Sequence, residues 1–171
     1  MLDRIHLERV YPYRVEQVWI ALTDRHALAE WLMPNDFEPR VGHQFVFQVD
    51  PMPGCCNETR CEVLEVDAPR KLAYTWLPVP VSRKLSGVPS IVTWTLLAEG
   101  EGTRLTLEHT GLEGVFPWWQ RFMLRFGWGT MVKRWIPKVT GRVRDGVFHP
   151  GAFPLNKRCY KANKIPSHLT K

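Results

Sequence analysis

GWGTMVKRWIPKVTGRVR, residues 127 to 144, decides how the rest of the chain is read. On a helix, Trp128, Met131, Val132, Trp135, Ile136, Val139 and Val143 fall three or four residues apart and form one broad apolar stripe. Lys133, Arg134, Lys138 and Arg142 then face water. Pro137 interrupts the pattern: it has no N–H for the carbonyl of Lys133 and its ring crowds that turn, so a kink or break is expected there. A stripe with two tryptophans needs a wide apolar partner surface, and the segments upstream read as short strands able to curl into one.

Residues 4 to 11 alternate, with Ile5, Leu7 and Val10 as the apolar members, which predicts a first strand with a bulge near Arg9 and Val10. Two short helices follow: Val15, Val18, Trp19 and Leu22 mark the first, and a second runs from the Thr23-Asp24 cap to about Leu32. Strands are expected over 42–50, 60–67, about 72–76, 90–97 and 103–110. Leu64 and Val66 should share a face of the second of these, and 77–89 should form a long loop rich in Pro, Ser and Gly. Consecutive strands with short turns predict an antiparallel meander with one buried face. Residues 112 to 126 are densely aromatic. They read either as a short helix between sheet and stripe, or as a flap or surface patch that something covers.

The chain has 171 residues and 44% hydrophobic content, enough for one domain with an ordinary core. No apolar run reaches the length of a membrane span, and the acids of MLDRIHLERV stand where a signal peptide has its apolar region, so a cytoplasmic protein is expected. Cys55, Cys56, Cys61 and Cys159 read as reduced thiols; no CxxC pair is present and no metal or cofactor is expected. Charge is divided sharply. Residues 1–113 hold 11 Lys/Arg against 16 Asp/Glu, a balance of −5, and residues 114–171 hold 12 against Asp145, a balance of +11. That asymmetry points either to an anionic partner, a membrane or an acidic protein, or to a basic helix matched internally by an acidic sheet. Nucleic acid is not expected, because Tyr160 is the one aromatic among the charges of the tail. Residues 1–145 read as the domain and 146–171 as a basic extended tail. The tail lacks apolar periodicity and should be dispensable for folding.

Seven segments resemble one family in the order it uses them. They are VWIALTD (18–24), AEWLMP (29–34), VGHQFVF (41–47), VLEVDAP (63–69), LAYTW (72–76), TRLTLEHTG (103–111) and Gly127-Trp128. The pattern is similar to the START-like, or SRPBCC, helix-grip superfamily, and within it to homologues of the heat-shock chaperone ATPase activator in their C-terminal domain. The resemblance implies an α+β fold, a curved antiparallel sheet of about six to seven strands wrapped around a long C-terminal helix. The chain departs from the family pattern at His43, where a second glycine is usual, in the longer connection 77–89, and in its tail.

Such folds leave an apolar cavity between sheet and helix, the default binding site. By strand alternation Phe45, Phe47, Tyr74, Trp76, Trp94 and His109 point toward it, joined by Trp31, Met131 and Trp135. The expected ligand is a small apolar or amphipathic molecule. The same residues also make sense as a filled core, and His109 as a core histidine with satisfied partners. The superfamily also hosts cyclases and hydratases, so an enzyme using His109 is the alternative; no carboxylate pair, nucleophile elbow, HExxH or phosphate loop supports catalysis. A third reading is an interaction module docking on an anionic protein or membrane. The sequence implies no oligomeric state.

Overall fold

The computed structural model describes residues 3–51, 56–80 and 83–170. Strand β1 (Arg4–Tyr11) is followed by helices α1 (Val15–Thr23) and α2 (Arg25–Trp31). Strands β2 (Gln44–Gln48), β3 (Glu58–Asp67), β4 (Lys71–Val79), β5 (Ser90–Glu99) and β6 (Gly102–Thr110) complete one antiparallel sheet in the order β1-β6-β5-β4-β3-β2. The last five are a meander, and β1 closes onto β6. α2 starts where expected: the Asp24 carboxylate accepts from the N–H groups of His26 and Ala27, at 2.8 and 2.9 Å.

Across the concave face lies one 23-residue helix. It begins at Trp118, runs as α3 (Trp118–Thr130) into a π-helical turn (Met131–Trp135), and ends as α4 (Ile136–Thr140). The aromatic stretch and the stripe are therefore one helix, not two. Pro137 neither breaks nor ends it. The N–H of Ile136 reaches back five residues to the carbonyl of Met131, and this wide turn absorbs the proline.

Three strand expectations change. β1 keeps an unbroken register from Arg4↔Thr110 to Tyr11↔Thr103, so Val10 simply faces outward, 49% exposed. The register shift lies in β3 between Val63 and Glu65, which turns Leu64 out and leaves Val63 inside. β4 continues through Pro78, within the expected loop. Beyond Trp76 it pairs with β3 alone, so the missing N–H of Pro78 costs no ladder bond toward β5. Residues 81 and 82 of that loop, like Cys55, lie outside the described residues.

The chain does not detach from the domain after Asp145. Strands β7 (Val143–Arg144) and β8 (Val147–Phe148) form a hairpin whose turn residues Asp145 and Gly146 are both left-handed, with φ +51° and +74°. The boundary expected at 145/146 falls in this turn. Residues 149–170 then wrap α2 and the end of β2. The buried Glu30 carboxylate accepts from the N–H groups of Gly151 (2.6 Å) and Phe153 (3.0 Å), with Arg158 3.8 Å away. Asp50 accepts from Asn163 and Lys164, at 2.9 and 2.7 Å. Phe148, Phe153, Tyr160 and Leu169 are buried.

Candidate functional site

Strand alternation brings Phe45 and Phe47 (β2), Tyr74 and Trp76 (β4), Trp94 (β5) and His109 (β6) onto the concave face, and Trp31 of α2 joins them. They meet Trp128, which the helix drives into their centre. Its ring lies 5.5 Å from Trp76, 5.6 Å from Trp94 and 5.9 Å from His109, each pair near edge-on. Phe47 packs 5.5 Å from Trp76, Phe45 5.6 Å from Tyr74, and Trp31 5.9 Å from Trp94. Seven of the nine sequence-expected residues therefore converge, ring against ring, with Trp128 as the member the reading omitted. Met131 is half-buried against the core, and Trp135 turns away to stack on Phe153 at 4.7 Å.

His109 is fully buried and both ring nitrogens are bonded. The indole N–H of Trp128 can only donate, so Nδ1 of His109 is the acceptor at 3.1 Å and the proton sits on Nε2. Nε2–H then donates to Ser90 Oγ at 2.8 Å, and that hydroxyl donates to the Trp76 carbonyl at 3.0 Å. Burial lowers the His109 pKa to about 3, so the imidazole is neutral. It has no free atom with which to take a proton from a bound molecule. The relay ties α3, β6, β5 and β4 together.

This buried histidine makes stability depend on acid. Its folded pKa lies below the usual 6.5, so the unfolded chain binds the proton more readily and stability falls as pH drops below that value. Between pH 7 and pH 5 the His109 contribution should fall by about 2 kcal/mol. Urea unfolding of the chain and of His109→Gln at both pH values should show that loss in the former only. Equal losses in the two proteins would contradict the assignment.

An open apolar groove of about 520 Å³ lies at the edge of the ring cluster. Met33 after α2, Thr59 of β3, and Trp76 and Pro78 of β4 form one wall, and Phe116, Trp119, Gln120, Met123 and Leu124 form the other. Trp76 is thus shared between cluster and groove. Cys56 also borders it, whereas Cys61 is buried on β3, where burial pushes its thiol pKa up. Among the described residues no group of three or more His, Cys, Asp or Glu is placed to hold a metal ion. No helix among them is long and apolar enough to cross a membrane.

The sheet acids pair mainly with basic residues of the sheet itself: Arg104 with Glu8 and Glu99, Lys71 with Glu65, Arg60 with Glu58. From the helix, Arg121 reaches Asp3 at 3.5 Å. Among the described residues, Arg121 is the one helix cation in an ion pair with an acid of the N-terminal half.

Three comparisons bear on this arrangement. The family model described as Activator of Hsp90 ATPase homolog 1-like protein matches residues 12–141. Among solved structures, the protein MLL2253 from Mesorhizobium loti is 30% identical, with 82% of this chain and 98% of that one covered and a TM-score of 0.70. The protein BH1534 from Bacillus halodurans is 27% identical over 80% of this chain and 96% of its own, with a TM-score of 0.64. PFC0360w, an HSP90 activator from Plasmodium falciparum, shares the fold at 20% identity, covering 64% of this chain and 73% of its own, with a TM-score of 0.51. No curated protein matches the chain.

Proposed function

The chain belongs to the family of Activator of Hsp90 ATPase homolog 1-like proteins, a helix-grip family, and from that premise we propose that it binds a small apolar or amphipathic molecule in the groove between β4 and the start of α3. The observation that carries this reading is the groove itself. About 520 Å³ lies within the range of small-molecule sites, and its walls are Met, Leu, Phe and Trp with Thr59 and Gln120 as polar points. The rings of Phe47, Trp94, His109 and Trp128 act as the floor behind Trp76 rather than as an empty interior. Binding at such a wall is driven by apolar area and shape, with Gln120 and Thr59 orienting one polar group. Ordered His109 has a structural part in this: its relay holds the floor in place.

Titration with the neutral fluorophore N-phenyl-1-naphthylamine tests the reading. The chain should bind it, and Met33→Asp, which sets a carboxylate in the groove wall, should weaken binding at least about tenfold, or ~1.4 kcal/mol. Equal affinity in the two proteins would place the probe elsewhere and refute the groove.

A further inference from the structure

We propose that the outer face of α3 is a docking surface for a bilayer containing anionic lipid. Trp118, Phe122, Met123 and Phe126 are 78, 55, 63 and 65% exposed, and Trp119 is 46% exposed beside them. Apolar side chains of this size on adjacent turns of one helix form a patch that a folded surface ordinarily covers. Phe122 and Phe126 touch each other at 5.1 Å and, with Leu7 of β1, floor a shallow depression of about 600 Å³. Its rim is Arg125, Lys133 and Arg134, which have no ion-pair partner among the described residues.

Charge selects the occupant. Residues 114 to 144 contain no Asp or Glu, so the whole helix face is cationic wherever it is not apolar. A second copy of the chain pairing through this face would oppose Arg125, Lys133 and Arg134 to their own counterparts with no acid to separate them. A folded protein would have to present an apolar seat for five large side chains together with acids spaced to three cations. A bilayer supplies both without a preformed shape: the rings settle at the boundary between headgroups and acyl chains, and the three cations meet lipid phosphates. The groove of the proposed ligand site opens beside the same turns, since Trp119 and Met123 border both. The docking inference rests on exposure and charge and stands apart from the groove reading.

The full chain should be sedimented with vesicles of phosphatidylcholine alone and with vesicles enriched in phosphatidylglycerol. The enriched vesicles should carry it down at low ionic strength, and release it at about 0.5 M salt. Each cation contributes roughly fivefold near an anionic surface, so Arg125→Glu/Lys133→Glu/Arg134→Glu should weaken binding about a hundredfold or more. Phe122→Ser/Phe126→Ser should also abolish it, and because all five side chains are exposed both variants should keep the parent melting temperature. Met33→Asp should still bind vesicles while losing the neutral fluorophore. Failure to sediment with the enriched vesicles, equal binding to both compositions, or unchanged binding by either multiple variant would overturn the proposal. So would a dimer in the absence of lipid that Phe122→Ser/Phe126→Ser dissociates.

Discussion

Replacing Trp128 with alanine should cost the chain at least about 4 kcal/mol of stability. About 3–5 kcal/mol comes from removing a buried tryptophan from the centre of a packed cluster. About 1–3 kcal/mol more comes from leaving Nδ1 of His109 buried without its donor. Against a typical total of about 5–15 kcal/mol, the variant should be largely unfolded or close to it at 37 °C. Trp128→Phe separates the two contributions: it keeps a ring but loses the N–H, and should cost about 1–3 kcal/mol. Urea unfolding at neutral pH measures both. A mild effect of Trp128→Ala would mean that the space between sheet and helix is not packed as described.

The second large effect concerns the C-terminal residues. A chain ending at Asp145 loses β8, the buried Phe148, Phe153, Tyr160 and Leu169, and the four backbone donors held by Glu30 and Asp50. It also uncovers Trp135, which stacks on Phe153 beneath Lys138. Burial of these side chains, the hydrogen bonds at Glu30 and Asp50 and the cover over Trp135 act together against the entropy of ordering the segment, and the net loss is expected to be about 3 kcal/mol. For a chain of this length that lowers the melting temperature by roughly 6–12 °C. Glu30→Ala, which orphans the N–H groups of Gly151 and Phe153, should move it in the same direction by a smaller amount. A melting temperature unchanged in the truncated chain would restore the expectation of a dispensable tail.

What the sequence made legible follows from what has a period. Tyr74, Trp76, Trp94 and His109 were placed correctly on one face because strands repeat every two residues and β4, β5 and β6 keep register. Trp135 was misplaced for a reason outside the period of its helix. Val132, Ile136 and Val139 are buried as projected, whereas Trp135 is half-buried and covered by Phe153 from the C-terminal segment. The proline signalled a disturbance, but not that the disturbance would be a widening rather than a break. Pro78 misled in a similar way: its strand character depends on having lost one neighbour, which no local pattern reports. The tail's anchoring was not legible because it has no period: Phe148, Phe153, Tyr160 and Leu169 are buried at irregular spacing, and polar ties join them. Glu30 and Asp50 bind backbone N–H groups, which any sequence supplies. The Asp145-Gly146 pair was the one local signal of a hairpin there. The groove was half visible, since Trp76 was named while Met33, Phe116 and Met123 come from connections and from the exposed side of the helix.

Methionine methyl NMR tests the central claim most directly. Met33 and Met123 border the groove on opposite walls, and Met131 lies beyond it on the helix. With ¹³C-methyl-methionine protein and saturating N-phenyl-1-naphthylamine, the methyl signals of Met33 and Met123 should shift together along one binding curve, and Met131 should stay in place. A shift confined to Met131, or none at either groove methionine while the probe is bound, would contradict a ligand site between β4 and α3.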